Sequence, residues 1–312
     1  MEENILVNKH AFIFPGQGSQ FVGMGQDLFD TYAEARHIFA QADQIMGFDL
    51  SRICFRGPED ELKQTRLTQP AIFVHSMVVY ELLKKKGFVP GAVAGHSLGE
   101  YSALVAAGAL SFENGLKLVK IRGELMQQAG EKNPGSMAAL IGLEFNQVQQ
   151  VCAEVRDHGI VCTANFNSPG QVVISGQLPA VRAAMAEAKK KGAKKVMELV
   201  VSGAFHSPLM ENAQQGLAAA LRAIEIKDAD VPVYTNVQAV ACRDKNEIRD
   251  LLYKQLTHPV RWVEIIQNMI ADGFTQFYEI GPGKVLSGLV KRINSMAICQ
   301  AIGDGSDLGT IT

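Results

Sequence analysis

Gly95-His96-Ser97-Leu98-Gly99 is the stretch of this chain best suited to covalent chemistry. It has G-x-S-x-G spacing, ends the apolar run Gly91–Gly95 and leads into the Ala-rich HSLGEYSALVAAGAL. A strand, a tight turn and a helix in that order would push the Ser97 hydroxyl out of the fold. The helix N-terminus beneath it would offer N–H groups and a positive dipole end to a developing oxyanion. The flanking strand and helix separate this match from a chance helix-capping turn.

A serine hydroxyl needs a base. Seven histidines are available: His10, His37, His75, His96, His158, His206 and His258. His96 adjoins the serine, so its ring is expected to point elsewhere in a structural role. His206, in VSGAFHSPLM, stands where a strand gives way to a loop, and His258, in QLTHPVRW, precedes a proline. Spacing leaves both open. Arg122, in LVKIRGELM, lies in an apolar helical pattern. Either its stem snorkels, or its guanidinium is buried and awaits a carboxylate. The loop Pro15–Gln20, PGQGSQ, could bring backbone N–H groups to an anion, but Phe21 breaks G-x-G-x-x-G. Gly281–Lys284 is not a P-loop either, because Val285 follows the lysine. Nucleotide binding is not supported.

The elements that must position these residues follow from composition and pattern. The chain has 312 residues, 47% hydrophobic and 20% charged, enough for a large core in one or two units. A formal charge of −2 argues against a nucleic-acid partner. Five scattered cysteines without CxxC exclude a disulfide framework or structural zinc and fit reduced thiols in a cytoplasm. The start, MEENILVNKH, lacks the apolar core of a signal peptide, and no run of about 18 apolar residues suggests a membrane span. Ala11–Phe14 reads as a buried strand stopped by Pro15, and a helix from about Gln69 ends in Lys84-Lys85-Lys86-Gly87. Helix, strand and helix in alternation predict an α/β layer with a mostly parallel sheet.

The middle of the chain has a different order. Strand patterns at Ser136–Gly142, Val161–Phe166, Gln171–Ser175 and Lys195–Val201 alternate with helices at Asn146–Asp157 and Leu178–Lys191. This β-α-β-β-α-β order is ferredoxin-like. It predicts a small subdomain at 133–203 inserted into a large one made of 1–132 and 204–312. In the latter, Val233–Asn236 and Gln276–Ile280 read as strands and Trp262–Ala271 as a helix.

Eight motifs in order carry a resemblance: FPGQGSQ, TQPA at Thr68–Ala71, GHSLGEYSAL, IRGELM, NFNSPGQVVISG, GAFHS, HPVRW and YEIGPGKVLSGL. From about residue 11 to 295 the chain resembles the malonyl-CoA:acyl carrier protein transacylases, the acyltransferases of fatty acid and polyketide synthesis. The first ten residues and the tail from Met296 depart from the pattern; the final stretch IGDGSDLGTIT, residues 302–312, is read as a mobile terminus.

The resemblance implies an α/β-hydrolase-like large subdomain with a ferredoxin-like insert. It implies Ser97 as nucleophile, His206 as base, and the main-chain carbonyl of Gln255 as the group orienting the base. It further implies Gln17 and Leu98 N–H groups as the oxyanion hole, Arg122 on the malonyl carboxylate, Asn167 lining the site, and Phe205 favouring malonyl over methylmalonyl. The implied reaction is ping-pong transfer from malonyl-CoA to the phosphopantetheine thiol of an acyl carrier protein; no metal or cofactor is expected, and nothing in the sequence demands more than a monomer. The alternatives are an acyl hydrolase or thioesterase and a non-catalytic carrier-binding module. Arg122 argues against uncharged acyl groups, because an unpaired buried charge is costly; intact Ser97 and His206 argue against the module. An acidic carrier would dock on a basic run, either Lys189, Lys190, Lys191, Lys194 and Lys195, or Lys291 and Arg292.

Overall fold

The computed structural model describes residues 10–311 and is built on two sheets. Along the chain the strands are β1 (His10–Phe14), β2 (Ala92–Gly95), β3 (Gly135–Ile141), β4 (Val161–Ser168), β5 (Gln171–Gln177), β6 (Lys195–Leu199), β7 (Val233–Tyr234), β8 (Ala241–Cys242), β9 (Gln276–Ile280) and β10 (Ile298–Ile302). The larger sheet has the order β10-β9-β1-β2-β7-β8 and is parallel except for β8.

Every residue of β1 and β2 is buried, as expected of parallel strands covered on both faces. Alternate side chains of β1 serve two cores. Phe12 and Phe14 join Phe73, Val78 and Leu104 on one face; Ala11 and Ile13 join Trp262, Ile266 and Leu289 on the other. The register pairs Ala11 with Ala92 and Phe14 with Gly95. Both strands therefore end level, and the loops Pro15–Gln20 and His96–Leu98 leave the same edge of the sheet. The carboxyl ends of parallel strands are where α/β folds bind ligands.

The second sheet, β4-β5-β3-β6, is antiparallel. Ala138 and Leu140 of β3 pack beneath the helices Phe145–Glu154 and Leu178–Lys190, together with Val148, Val151 and Val181. Met137 and Ala139, on the opposite face, join the main core. The two sheets are stitched by Val260, which donates to Ala164 O and accepts from Phe166 N, both at 2.9 Å.

Two expectations are corrected. Residues 302–311 are not a mobile terminus: Ile302 closes β10, paired with Ile280 of β9, and a short helix, Gly305–Gly309, buries Leu308. The strand expected at Val233–Asn236 stops at Tyr234, because the side chain and amide of Asn236 are taken up by the site described below. The helices Leu50–Arg56, Glu59–Leu62, Glu211–Ala223 and Lys245–Gln255 were not read from the pattern. Residues 1–9, on which the signal-peptide reading rests, lie outside the described residues. Among the described residues no helix is long and apolar enough to cross a membrane, and the five cysteines are free thiols.

Candidate active site

The turn after β2 holds Ser97 at φ 52°, a left-handed conformation that costs about 1–2 kcal/mol for a residue with a Cβ. Its surroundings enforce it. A Cβ on Gly95 would lie 1.9 Å from the carbonyl carbon of Gly99, and one on Gly99 would lie 2.0 Å from Phe14 O. Only glycine at both positions lets the helix Gly99–Ala106 start this close to β1 and β2. The Ser97 amide donates to Asn236 Oδ1 at 2.7 Å, and Asn236 Nδ2 donates to Gly95 O at 2.6 Å, which pins the turn from both sides.

His206 also has a positive φ, 57°, and its Nε2 lies 2.8 Å from Ser97 Oγ. Its Nδ1 lies 2.9 Å from Gln255 O and 3.1 Å from His258 O. Carbonyl oxygens only accept, so Nδ1 carries the proton and the Nε2 lone pair faces the Ser97 hydroxyl. Of the two histidines left open by spacing, His206 is the one at the serine. His258 is exposed and contributes only its main-chain carbonyl, its ring being turned to Lys254 O. Burial, and then the charge of Arg122, push His206 down to about 3, so the ring is neutral at physiological pH.

Arg122 is 0% exposed, on the helix Phe112–Lys132. Nη1 donates to Gln69 Oε1 at 2.7 Å; Nη2 donates to Gln255 Oε1 at 2.9 Å and to Ser97 Oγ at 3.0 Å. Its guanidinium lies 5.5 Å from the ring centroid of Tyr101. Of the two readings of Arg122, the buried guanidinium is the one observed. Gln255, fully buried at the end of its helix, donates through Nε2 to Ser97 O at 2.9 Å and to Glu100 Oε2 at 2.7 Å. Burial pushes the Glu100 carboxyl up to about 7, against the pull of Gln255, Asn236 and Arg122.

These groups open on a small cavity of about 110 Å³. Its polar lining is Gln17, Gln69, His96, Ser97, Arg122, Asn165 and His206; Met126, Met137, Leu199, Val201 and Phe205 form the apolar wall. Leu98 also lines it, and among the described residues the backbone N–H groups of Leu98 and Gln17 have no hydrogen-bond partner. His96 is among the residues lining the cavity; its Nε2 lies 2.9 Å from Asn167 Oδ1 and its ring packs against Trp262 at 5.5 Å between centroids. Asn167 Oδ1 lies 2.9 Å from Nε2 of His96, one of the lining residues, and Asn165, two residues earlier, also lines the cavity. Gln69, Glu100 and Asn236 were not singled out from sequence; each is a polar residue in or beside an apolar run, and that was the available signal.

A hydroxyl against an imidazole lone pair, two free N–H groups and a buried cation in one small cavity can form and hold an acyl-serine. The model of the family described as "Acyl transferase domain" matches residues 11–303. The malonyl CoA-acyl carrier protein transacylase of Bacillus subtilis is 48% identical over 96% of this chain and 94% of its own length. The protein of the same name from Escherichia coli K12 is 42% identical over 96% and 97%. A crystal structure of an acyl carrier protein S-malonyltransferase from Vibrio cholerae superposes with a TM-score of 0.94 at 44% identity, covering 97% of this chain and 100% of that one. A malonyl-transacylase solved in complex with its type II PKS acyl-carrier protein gives 0.93 at 42% identity, over 96% and 98%. By sequence across nearly its whole length and by its two-sheet fold, this chain belongs to the acyl transferase domain family.

Proposed function

We propose that this protein moves the malonyl group of malonyl-CoA to the phosphopantetheine thiol of an acyl carrier protein through a malonyl-Ser97 intermediate, in fatty acid or polyketide synthesis. The observation that carries the reading is a fully buried Arg122 sharing a cavity of about 110 Å³ with the Ser97–His206 pair. A buried guanidinium facing an acyl pocket selects an acyl group that carries its own carboxylate.

In the first half-reaction His206 Nε2 takes the Ser97 proton while Oγ bonds to the thioester carbon. The N–H groups of Gln17 and Leu98 hold the oxyanion; one such donor is typically worth about 3–4 kcal/mol. The C–S bond then breaks, and the departing CoA sulfur takes the proton from His206. In the second half-reaction the carrier thiol gives its proton to His206 and bonds to the malonyl carbon. Ser97 Oγ leaves and recovers the proton. The apolar wall of Met126, Met137, Leu199, Val201 and Phe205 disfavours water as the competing acceptor.

The proposal includes a monomer in a cytoplasm, a setting that five free thiols suit. For carrier docking, Lys190 and Lys191 are paired with Glu187 and Glu154, and Arg292 donates to Gln171. Incubation with radiolabelled malonyl-CoA and a carrier tests the reading. Label that becomes bound to the protein and then moves to the carrier supports it. Free malonate as the product marks a hydrolase, and absence of bound label marks a binding module.

A further inference from the structure

Arg122 does more in this structure than wait for a carboxylate, because one of its hydrogens is spent on the nucleophile. Ser97 Oγ stands between two partners, Arg122 Nη2 at 3.0 Å and His206 Nε2 at 2.8 Å. The hydroxyl has one proton and two lone pairs. The proton points to His206 and one lone pair accepts from a cation. A lone pair engaged by a charged donor is withdrawn from attack, and such bonds are roughly twice as strong as neutral ones.

From this we propose that Arg122 restrains Ser97 in the free protein and that the carboxylate of the arriving acyl group releases it. The inference rests on the malonyl reading above and makes Arg122 a gate on the rate of acylation as well as a clamp on the substrate.

The donor inventory of the guanidinium supports the gate. Both faces on which it can grip a carboxylate at two points, Nη1 with Nη2 and Nε with Nη2, include Nη2. Both hydrogens of Nη2 are already committed, one to Ser97 Oγ and one to Gln255 Oε1. A carboxylate gripped at two points must displace one of them. Gln255 is the partner held fast: its Nε2 donates to Glu100 Oε2 and to Ser97 O, so the amide cannot turn without abandoning a buried carboxylate. Ser97 Oγ has no such anchor and is the partner that yields. Its second bond, to His206, survives the exchange and is the one acylation requires.

Electrostatics favours the same sequence. Burial and the Arg122 charge both depress the basicity of His206. A carboxylate on Arg122 offsets the second of these as it arrives, so freeing the nucleophile and strengthening its base accompany one binding event. Acetyl and water, which bring no carboxylate, meet a restrained serine and a weaker base.

The test separates the two halves of malonyl. Acetyl-CoA supplies the acyl group and formate the missing carboxylate, while Ser97 acetylation is followed by intact-protein mass spectrometry in single turnover. The reaction balances without formate, acetyl-CoA and the serine hydroxyl giving acetyl-Ser97 and free CoA thiol. On the unaltered protein, formate should speed acetyl loading about tenfold over chloride at equal ionic strength, the factor that ~1.4 kcal/mol of released restraint gives. In Arg122→Ala, acetyl loading without formate should already exceed that of the unaltered protein, and formate should add nothing. If formate leaves acetyl loading of the unaltered protein unchanged or slows it, the gate is wrong, and that arm stands even if Arg122→Ala does not fold. Malonyl-CoA alone keeps the two readings apart: loading of Ser97 by malonyl without a formate effect removes only the gate, and no malonyl loading removes the proposed function as well.

Discussion

The Nδ1 of His206 lies 2.9 Å from the main-chain carbonyl oxygen of Gln255, so a neutral amide group, not a side-chain carboxylate, orients the imidazole beside Ser97. The second carbonyl at 3.1 Å, from His258, is also main chain. Replacing the side chain of His258 leaves both acceptors in place. His206→Ala should therefore lower acylation by at least about 10²-fold, the lower end for a positioned base, whereas His258→Ala should change it little. Single-turnover malonylation of the two variants checks this, and the reverse order of effects would mean that the base is misassigned.

Two glycines make opposite predictions. A Cβ at Gly99 meets Phe14 O at 2.0 Å, a contact that only backbone movement relieves. Gly99→Ala should cost at least about 1–3 kcal/mol by overpacking and displace the Ser97 turn with it. Gly288, exposed within the helix Val285–Ile293, has nothing within 4 Å of its Cβ position. Gly288→Ala should stabilise the fold by about 0.5–1 kcal/mol through helix propensity, with activity unchanged. Urea midpoints of both variants decide the matter.

Phe205 stands immediately before His206 and forms part of the apolar wall. In a cavity of about 110 Å³ an extra methyl on the acyl α-carbon competes with that ring for space. Phe205→Ala should narrow the preference for malonyl-CoA over methylmalonyl-CoA by about tenfold or more, within the 10–200-fold a single methyl group is worth in an apolar pocket. Specificity constants for the two thioesters measure it, and an unchanged ratio removes Phe205 from the selection.

His75 makes a prediction about acid stability. Burial pushes it down to about 4 from an ordinary 6.5, with Asp27 and Asp304 pulling the other way. Between those values the unfolded chain binds a proton that the folded one does not, so the folded state loses stability as pH falls through the window. The slope is at most about 1.4 kcal/mol per pH unit for this residue. Glu100, raised to about 7, acts with the opposite sign, holding a proton when folded between about pH 4.5 and 7 that the unfolded chain has lost. Comparing the native chain with His75→Leu cancels the Glu100 contribution. The stability difference should be flat above pH 6.5 and should move in favour of the variant below it; a difference independent of pH would show that His75 does not titrate on unfolding.

Local patterns carried the parts of this structure that depend on local sterics. The Ser97 turn was legible because two glycines and a strand-to-helix switch leave little else for that stretch to form. Trp262–Ala271 and Gln276–Ile280 matched their observed bounds, since each is a single amphipathic or apolar run. The network behind Ser97 was not legible, because the bond from Gln255 to Glu100 spans 155 positions and no pattern announces it. Strand β10 was not read from the sequence for a related reason: among the described residues its strand partner is β9 alone, so its identity as a strand comes from that pairing.

The central claim is a malonyl ester on Ser97 that passes to a carrier thiol. Peptide-level mass spectrometry after brief exposure to malonyl-CoA, with and without subsequent addition of a phosphopantetheinylated carrier, tests it most directly. The account predicts a malonyl adduct on Ser97 that disappears as malonyl-carrier forms, and no adduct in Ser97→Ala. An adduct persisting in Ser97→Ala, or sited on another residue, or discharged as free malonate while the carrier stays unloaded, would contradict it.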